Sequence, residues 1–430
     1  MKRKVGNPSS YWGFVKDPLY GYIRLSEMEK RVIDTEPVQR LRRIRQLSGA
    51  EYVYPAANHT RFEHALGTMY LAGVLAENLP ANLNDEDVEE LKVAALLHDV
   101  GHGPFSHVFD QFLIKHHGKT HEDVTTWIIN NSNIKDILKD AGFNPSDIAR
   151  LSVGKLRDSQ RPFFDQIISS TVDVDKMDFI PRDSYHTGAG YGQADVFRLI
   201  YTMGIHERNL AVGVTALPTL ETFLLARLES FRAIYFHRAS RAVQIMLVKA
   251  LELAKDEIGA IEFESADDYL RLDDYTAWST LRNSKNSKSI LQDIEARRLL
   301  KCAFERTFFT RDETVTSLFT NEAVRHQIET EIARKANVDP NRVTIDVPSL
   351  PSVPYSHSIG AEPMEVPIFD ESRTGEKTPK KLAEISRVID VLRVIMNIIR
   401  IYTEEADRDK VGKSARDVLG NLPAETKISY

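Results

Sequence analysis

The sequence predicts a mostly α-helical bundle followed by a smaller α+β region. Three observations carry this. Apolar residues recur at helical spacing through most of the first half. Short alternating stretches appear only late, at residues 343–347 and 364–369. A chain of 430 residues with 42% hydrophobic and 27% charged residues has the composition of an ordinary folded core. A boundary is expected near residue 260. It would separate a catalytic region, 1–260, from a mixed region, 261–430, that serves oligomer contacts or regulation.

The elements follow in order. Residues 28–44 have helical spacing, with Pro37 near a helix start. Residues 61–79 continue it through Leu66, Met69, Leu71, Val74 and Leu75. Asn84 or Asp85 caps a helix that carries Val88, Leu91, Ala95 and Leu96 up to His98-Asp99. Gly101, Gly103 and Pro104 end it, so His102 and His107 fall on an irregular turn or just past it. Residues 164–179 read as a helix with Asp175 and Phe179 on one face. Lys176 and Asp183 share the neighbouring face if that helix tolerates Pro181. A turn-rich break at 188–192 precedes a hairpin at 197–215, with His206 to Asn209 at its tip, and a long amphipathic helix at 220–258.

Further on, 281–298 reads as a helical connector, 348–363 as a proline- and serine-rich spacer and 374–381 as an exposed charged loop. A helix at 382–394 and a strand at 397–403 close the pattern. Residues 304–309 and 343–347 are candidates for an oligomer interface or an activator pocket. Gly412-Lys413-Ser414 echoes a phosphate-binding loop. Asp407 stands where the upstream glycine belongs and no strand-then-turn precedes it, so an exposed charged segment is expected.

Composition narrows the function classes. A formal charge of −6 gives no global attraction to nucleic acid or anionic lipid, so any anion site must be local. The single cysteine, Cys302, excludes an intramolecular disulfide framework and a cysteine-rich zinc site, and suits a reducing cytoplasm. The basic N-terminus has no apolar run after it, so no secretory signal is expected. Residues 388–402 are apolar but interrupted by Asp390, Arg393, Asn397 and Arg400, too short and charged for a membrane span. A cytoplasmic protein is expected.

The chemistry concentrates in three strings: T-R-F-E-H at 60–64, L-L-H-D-V-G-H-G-P-F-S-H at 96–107 and D-V-D-K at 173–176. His64, the pair His98-Asp99 and a later aspartate supply imidazole and carboxylate ligands for one transition metal. Mn, Fe, Co, Ni or Zn suits such a set better than Mg does. Singly, His64 and His98 are better explained as core histidines and Asp99 as a helix-end residue; the ordered set is what points to metal. Arg61 lies one turn before His64, and Lys176 adjoins the D-V-D string, so both can face a phosphate group. His102, His107, Asp110 and His121 offer acid–base chemistry, with Asp110 three residues from His107 and able to orient its ring. His116 and His117 are expected to face water.

These strings resemble the HD-domain phosphohydrolase superfamily. More narrowly, they resemble deoxynucleoside triphosphate triphosphohydrolases related to the vertebrate sterile-alpha-motif/HD-domain enzyme. The likeness runs in order from V-K-D-P-L-Y-G-Y-I-R-L through I-D-T-E-P-V-Q-R-L-R-R-I-R-Q-L, N-H-T-R-F-E-H-A-L-G, the H-D string and D-V-D-K-M-D-F-I-P-R-D-S, covering about residues 14–240. No sterile-alpha-motif segment is expected ahead of it. The resemblance implies an HD-domain helical bundle with metal ligation by His64, His98, Asp99 and Asp175. It implies triphosphate contacts from Arg61, Lys176 and Arg227, with Mg bridging phosphate oxygens. It places His102, His107 and His121 in the catalytic pocket, supported by Asp110. Gln46 and Asp183 would meet the sugar 3′-hydroxyl, and Tyr235 would wall the sugar and exclude a ribose 2′-hydroxyl.

The family pattern is not complete. Phe179 and Phe236 replace a tyrosine and a glutamine. Asp34, Gln39 and Arg42 match guanine-nucleotide activator contacts, whereas Lys16 and Tyr22 do not match theirs. The resemblance therefore implies hydrolysis of a dNTP to deoxynucleoside and triphosphate, activation by GTP or a dNTP, and a homo-oligomer, dimer or tetramer. The alternatives are an HD phosphodiesterase or nuclease acting on nucleotide diesters or single-stranded nucleic acid, and a non-enzymatic nucleotide- or nucleic-acid-binding assembly built on Arg40, Arg42, Arg43 and Arg45.

Overall fold

A computed structural model describes residues 11–259, 263–310, 321–351, 367–372, 374–392 and 395–420. The predicted segments 348–363 and 364–369 lie partly outside these residues, as does the N-terminal basic run. The fold is mostly helical with small sheets, as the periodicity predicts. It opens with an antiparallel hairpin, β1 (Tyr11–Asp17) and β2 (Gly21–Ser26). Next come α1 (Glu27–Ile33) and α2 (Glu36–Arg40), separated at Asp34-Thr35, so the periodic stretch 28–44 is not one helix. Pro37 sits in the first turn of α2, where its missing N–H costs nothing.

The central pair is α3 (Arg61–Asn78) and α4 (Asp85–Leu97). Asn84 caps α4, bonding the N–H groups of Glu86 and Asp87, while Asp87 reaches back to the Asn84 N–H. A loop then leads to α5 (His107–His117) and α6 (His121–Asn131). Next are α7 (Ile134–Asp140), α8 (Pro145–Leu151), α9 (Phe163–Ile168) and α10 (Val174–Thr187).

Residues 164–179 thus split between α9 and α10, correcting the single helix expected there. The run Ser169-Ser170-Thr171 carries hydroxyls that compete for backbone groups, and Asp173 starts α10 afresh by accepting from the Lys176 N–H. α10 keeps Pro181 in its interior.

α11 (Val196–Thr202) precedes the hairpin β3 (Met203–His206) and β4 (Asn209–Gly213), so the predicted hairpin is correct only from 203 on. Its two turn residues, Glu207 and Arg208, have φ of 49° and 68°, the left-handed pair of a tight hairpin. The stretch 220–258 is also divided. α12 (Leu217–Ser230) runs into a π-helical turn at Phe231–Tyr235 before α13 (Arg238–Leu253) begins.

The late strands form two sheets. β5 (Lys301–Thr310) pairs with β10 (Ile395–Thr403), which also takes β6 (Thr344–Asp346) and β7 (Ser349–Pro351). β8 (Ile368–Glu371) and β9 (Lys377–Lys380) extend the β3–β4 hairpin. The loop expected at 374–381 is therefore a strand over its second half. Residues 382–394 hold two short helices, Leu382–Ile385 and Arg387–Leu392, rather than one. The Gly412-Lys413-Ser414 echo lies inside the helix Arg408–Leu419, where Val411, Gly412, Ser414 and Ala415 are buried. It is a packed helix face, not the exposed segment expected.

Burial explains the assembly. Val32, Leu41, Met69, Leu96, Phe109 and Ile128 share one core with Tyr269, Leu281 and Leu291 from the helices after residue 263. A second core joins Leu75, Leu91, Phe164, Met177, Leu199 and Phe223. Among the described residues no helix is long and apolar enough to cross a membrane.

Candidate metal centre and its surroundings

Three helices aim side chains at one point. His64 comes from the first turn of α3, His98 from the end of α4 and Asp175 from the first turn of α10. His64 Nε2 lies 3.1 Å from His98 Nε2 and 3.0 Å from Asp175 Oδ1. His98 Nε2 lies 3.6 Å from Asp175 Oδ1 and 3.4 Å from Asp99 Oδ1. His64 and Asp99 are almost wholly buried.

The donor set fits a cation. His98 Nδ1 is 2.7 Å from the Ala95 carbonyl, and His64 Nδ1 is 2.8 Å from the Asp178 carboxylate. Each of those partners only accepts, so each Nδ1 donates its proton outward and each Nε2 is the atom left to face a cation when one is bound. Two lone pairs and two carboxylates then converge. Ligand atoms about 2.1 Å from a shared ion sit roughly 3 to 3.5 Å apart; His64, His98 and Asp99 form a mutually close cluster of this kind, and Asp175 lies 3.0 Å and 3.6 Å from the two histidines. In the absence of a cation, burial disfavours a charged His64, but the hydrogen bonds to Asp175 and Asp178 override it and push the ring up to about 10. Burial likewise works against the charges of Asp99 and Asp175. It is overcome by Arg61 and the histidines for Asp99, and by His64 and His98 for Asp175, so both carboxyls stay well below their usual range.

Positive charge flanks the ligands. Arg61 is 2% exposed. Its NH1 pairs with Asp99, its Nε donates to Ser106 Oγ at 2.7 Å, and its NH2 is buried without a partner. Ser106 in turn donates to the Arg45 carbonyl at 2.6 Å. Lys176 Nζ lies 2.6 Å from Asp173, the residue that caps its own helix. Arg227 is buried in α12 over the Phe231 ring, and burial pulls its guanidinium down to about 10 against the attraction of Asp173.

The acid–base cluster is contiguous with this centre. His102 Nε2 lies 3.4 Å from Asp99 Oδ1, and the His102 ring stacks on His121 at 3.9 Å. Asp110 Oδ2 accepts from both His107 Nδ1 and His121 Nδ1, each at 3.0 Å. Burial disfavours charge on His121, yet the Asp110 contact raises it; burial and Arg61 hold His102 well below its ordinary value. His107 is 74% exposed, at the mouth of the site. His116 was expected to face water; it instead bonds Glu252 at 3.1 Å and packs on Phe112. His117 packs on Phe263.

The proposed sugar residues form a second group. Buried Asp183 is held by Tyr235 Oη and by His59 Nε2 at 2.7 Å. Phe179 packs edge-on to both His64 and Tyr235. The π-helical turn presents Tyr235; Gln46 lies in the segment leading to α3, with its backbone N–H on the His59 carbonyl and its Oε1 buried without a partner. Sequence reading missed His59, Asp178 and Ser106. All three stand in the quoted strings, His59 in N-H-T-R-F-E-H, Ser106 in the H-D string and Asp178 in D-V-D-K-M-D-F, so membership was a signal, but nothing local named their partners.

The remaining candidates lie apart. Gln39 accepts from Arg42 Nε at 2.9 Å, Arg42 stacks on Phe62, and Asp34 pairs with Lys30. Arg40 does not join a basic face. It is 0% exposed, with Nε on the Leu272 carbonyl. Arg42, Arg43 and Arg45 do line a cavity of about 830 Å³ with Tyr52, Tyr275 and Trp278.

The HD domain family matches residues 61–178, and the family described as the HD associated region matches residues 194–429. A protein of Methanocaldococcus jannaschii is 34% identical over 313 residues, 71% of this chain and 63% of that one. The human deoxynucleoside triphosphate triphosphohydrolase SAMHD1 is 32% identical over 339 residues, 67% of this chain and 54% of that one. The chain thus spans under two thirds of either relative. A solved structure of a hypothetical protein from Aquifex aeolicus superposes with a TM-score of 0.76 at 30% identity, covering 93% of this chain and 99% of that one.

Proposed function

This chain belongs to the HD-domain family that carries an HD associated region, and from that premise we propose that it is a metal-dependent phosphohydrolase that cleaves dNTPs to deoxynucleoside and inorganic triphosphate. The observation that carries this reading is a single juxtaposition. His64, His98, Asp99 and Asp175 gather beside Arg61, whose buried NH2 has no partner and would be satisfied by a phosphate oxygen. The likeness to the human triphosphohydrolase supports the choice of substrate.

His64, His98, Asp99 and Asp175 would hold one ion, Fe, Mn, Zn, Ni or Co. A bound ion of this kind lowers the pKa of water and polarises a phosphoryl oxygen. Arg61 fixes the α-phosphate side of the substrate, and Lys176 and Arg227 offset the rest of the triphosphate charge, to which Mg would add further neutralisation when bound. His107 protonates the departing 5′-oxygen, with Asp110 orienting its ring; His121 shares that carboxylate and is the second candidate. Asp183, held by His59 and Tyr235, accepts from the sugar 3′-hydroxyl beside Gln46, and Tyr235 with Phe179 walls the sugar. Asp34, Gln39 and Arg42 form an activator contact for GTP or a dNTP, and the working form is a homo-oligomer.

The test is to incubate the protein with each dNTP, Mn²⁺ and Mg²⁺, with and without GTP. Triphosphate should appear with deoxynucleoside, and His98→Ala with Asp99→Ala should abolish it. Release of pyrophosphate or orthophosphate sinks the assignment. Equal turnover of bis(4-nitrophenyl) phosphate would favour the diesterase reading.

A further inference from the structure

We propose that a buried chain, Asp178–Arg182–Asp17, sets the orientation and tautomer of His64 and so makes the N-terminal hairpin part of the metal-holding unit. This rests on the metal-dependent reading above and names positioning residues for it. His64 Nδ1 lies 2.8 Å from Asp178 Oδ2. Arg182 grips both oxygens of the same carboxylate, Nε at 2.8 Å and NH2 at 2.9 Å. Its third nitrogen donates to Asp17 Oδ2 at 2.9 Å. Asp17 ends β1, and its other oxygen accepts from the N–H groups of Leu19 and Tyr20 at 2.8 and 3.0 Å. His64, Asp178 and Arg182 are 0% exposed and Asp17 is 5% exposed.

Such a chain is not explained by packing alone. Burying two carboxylates and a guanidinium is often no better for stability than burying apolar side chains of the same size. The helix facing it also concedes propensity. Gly67 lies within α3, one turn after His64, where glycine costs about 1 kcal/mol relative to alanine. A Cβ at Gly67 would collide with the Asp178 carboxylate and the Arg182 guanidinium. The glycine therefore clears the path by which Asp178 approaches His64. The consequence falls on one atom. With its proton held on Nδ1 and its carboxylate partner locked by the Arg182 fork, His64 keeps Nε2 bare and aimed at His98 Nε2, 3.1 Å away.

The experiment uses the full chain and compares wild type with Asp178→Asn and Asp17→Asn. Mn²⁺ affinity is read from the signal of the free ion, and folding from circular dichroism and melting. Asp178→Asn should bind Mn²⁺ about 10- to 100-fold more weakly while retaining its helical spectrum. Asp17→Asn, remote from the ion, should weaken binding in the same direction by a smaller factor, and supplies the test if Asp178→Asn does not fold. In Zn²⁺-loaded wild type, ¹⁵N shifts should mark His64 as protonated on Nδ1 and metal-bound through Nε2. Variants that melt lower with Mn²⁺ affinity unchanged within about twofold overturn the proposal, as does a His64 bound through Nδ1. Wild type that binds neither ion removes the metal reading itself, and this proposal with it.

Discussion

In the proposed mechanism the acid–base chemistry turns on Asp110, because one of its oxygens serves both His107 and His121. Asp110→Asn keeps the shape and removes the charge that, against burial, favours the protonated form of His121. Its kcat for dNTP should fall by about 10² to 10⁴, with KM little changed; an unchanged kcat would remove Asp110 from the mechanism. His186, whose ring stacks on His59 at 4.3 Å, tests the electrostatics around buried Asp183. Burial, and then the charges of His59 and Arg182, lower it from its ordinary 6.5 to about 4. A depressed histidine is neutral in the fold while the unfolded chain still takes up a proton. Stability therefore rises with pH between about 4 and 6.5. Melting should be lower at pH 5 than at pH 7, and His186→Gln should shrink that difference; an equal difference in the variant would contradict the assignment. The candidate ligand set was legible because its members stand in contiguous strings. The chain behind His64 was not, since Arg182 meets a partner 165 positions away and no local pattern announces that pairing.

At the scale of elements, the loop between α4 and α5 does most to shape the site. Its glycines are there for space. A Cβ at Gly101 would strike the His121 carbonyl and the Thr125 N–H, and one at Gly103 would strike the Phe109 ring. Gly101→Ala must push α6 outward, and with it His121. It should cost about 1 to 3 kcal/mol in denaturant unfolding and lower kcat as well. Wild-type stability and turnover together would contradict this placement of α6. Phe105 and Ser106 take φ of 60° and 54° in the same loop, an unusual conformation for either residue, and Ser106 uses it to bridge Arg61 and Arg45. The sequence revealed the stop of α4 through Gly101, Gly103 and Pro104. It did not reveal the π-helical turn that presents Tyr235, because F-R-A-I-Y contains no glycine or proline and its apolar spacing continues a helix. Nor did it reveal β9, whose K-T-P-K reads as a loop and pairs only at the edge of a sheet.

Across the whole molecule, the later third is fastened to the helices that hold the site. Tyr269 Oη donates to the Gly101 carbonyl at 2.7 Å, and Arg40 holds the Leu272 carbonyl at 2.8 Å. Farther out, Glu305 on β5 takes a two-toothed contact from Arg238 at 2.7 Å and another from Arg400 Nε at 2.6 Å. Arg241 meets Asp346 on β6 in the same way. Glu305→Ala strips a carboxylate from two guanidiniums, one of them 5% exposed. It should destabilise the protein by about 3 to 5 kcal/mol, read by denaturant unfolding; a change under about 1 kcal/mol would show that the sheet is held by its apolar face instead. Fold class was legible at this scale from periodicity alone. The fastening was not, because it is made by single charged residues whose partners are fixed only once the chain has folded.

The central claim is that His64, His98, Asp99 and Asp175 hold one ion between them. Elemental analysis of gently purified protein tests it most directly. The account predicts about one transition-metal ion per chain, or uptake of about one Mn²⁺ by metal-stripped protein, and loss of that ion in folded His98→Ala with Asp99→Ala. A wild-type protein that neither carries nor takes up an ion, or a double variant that retains it in full, would contradict the account.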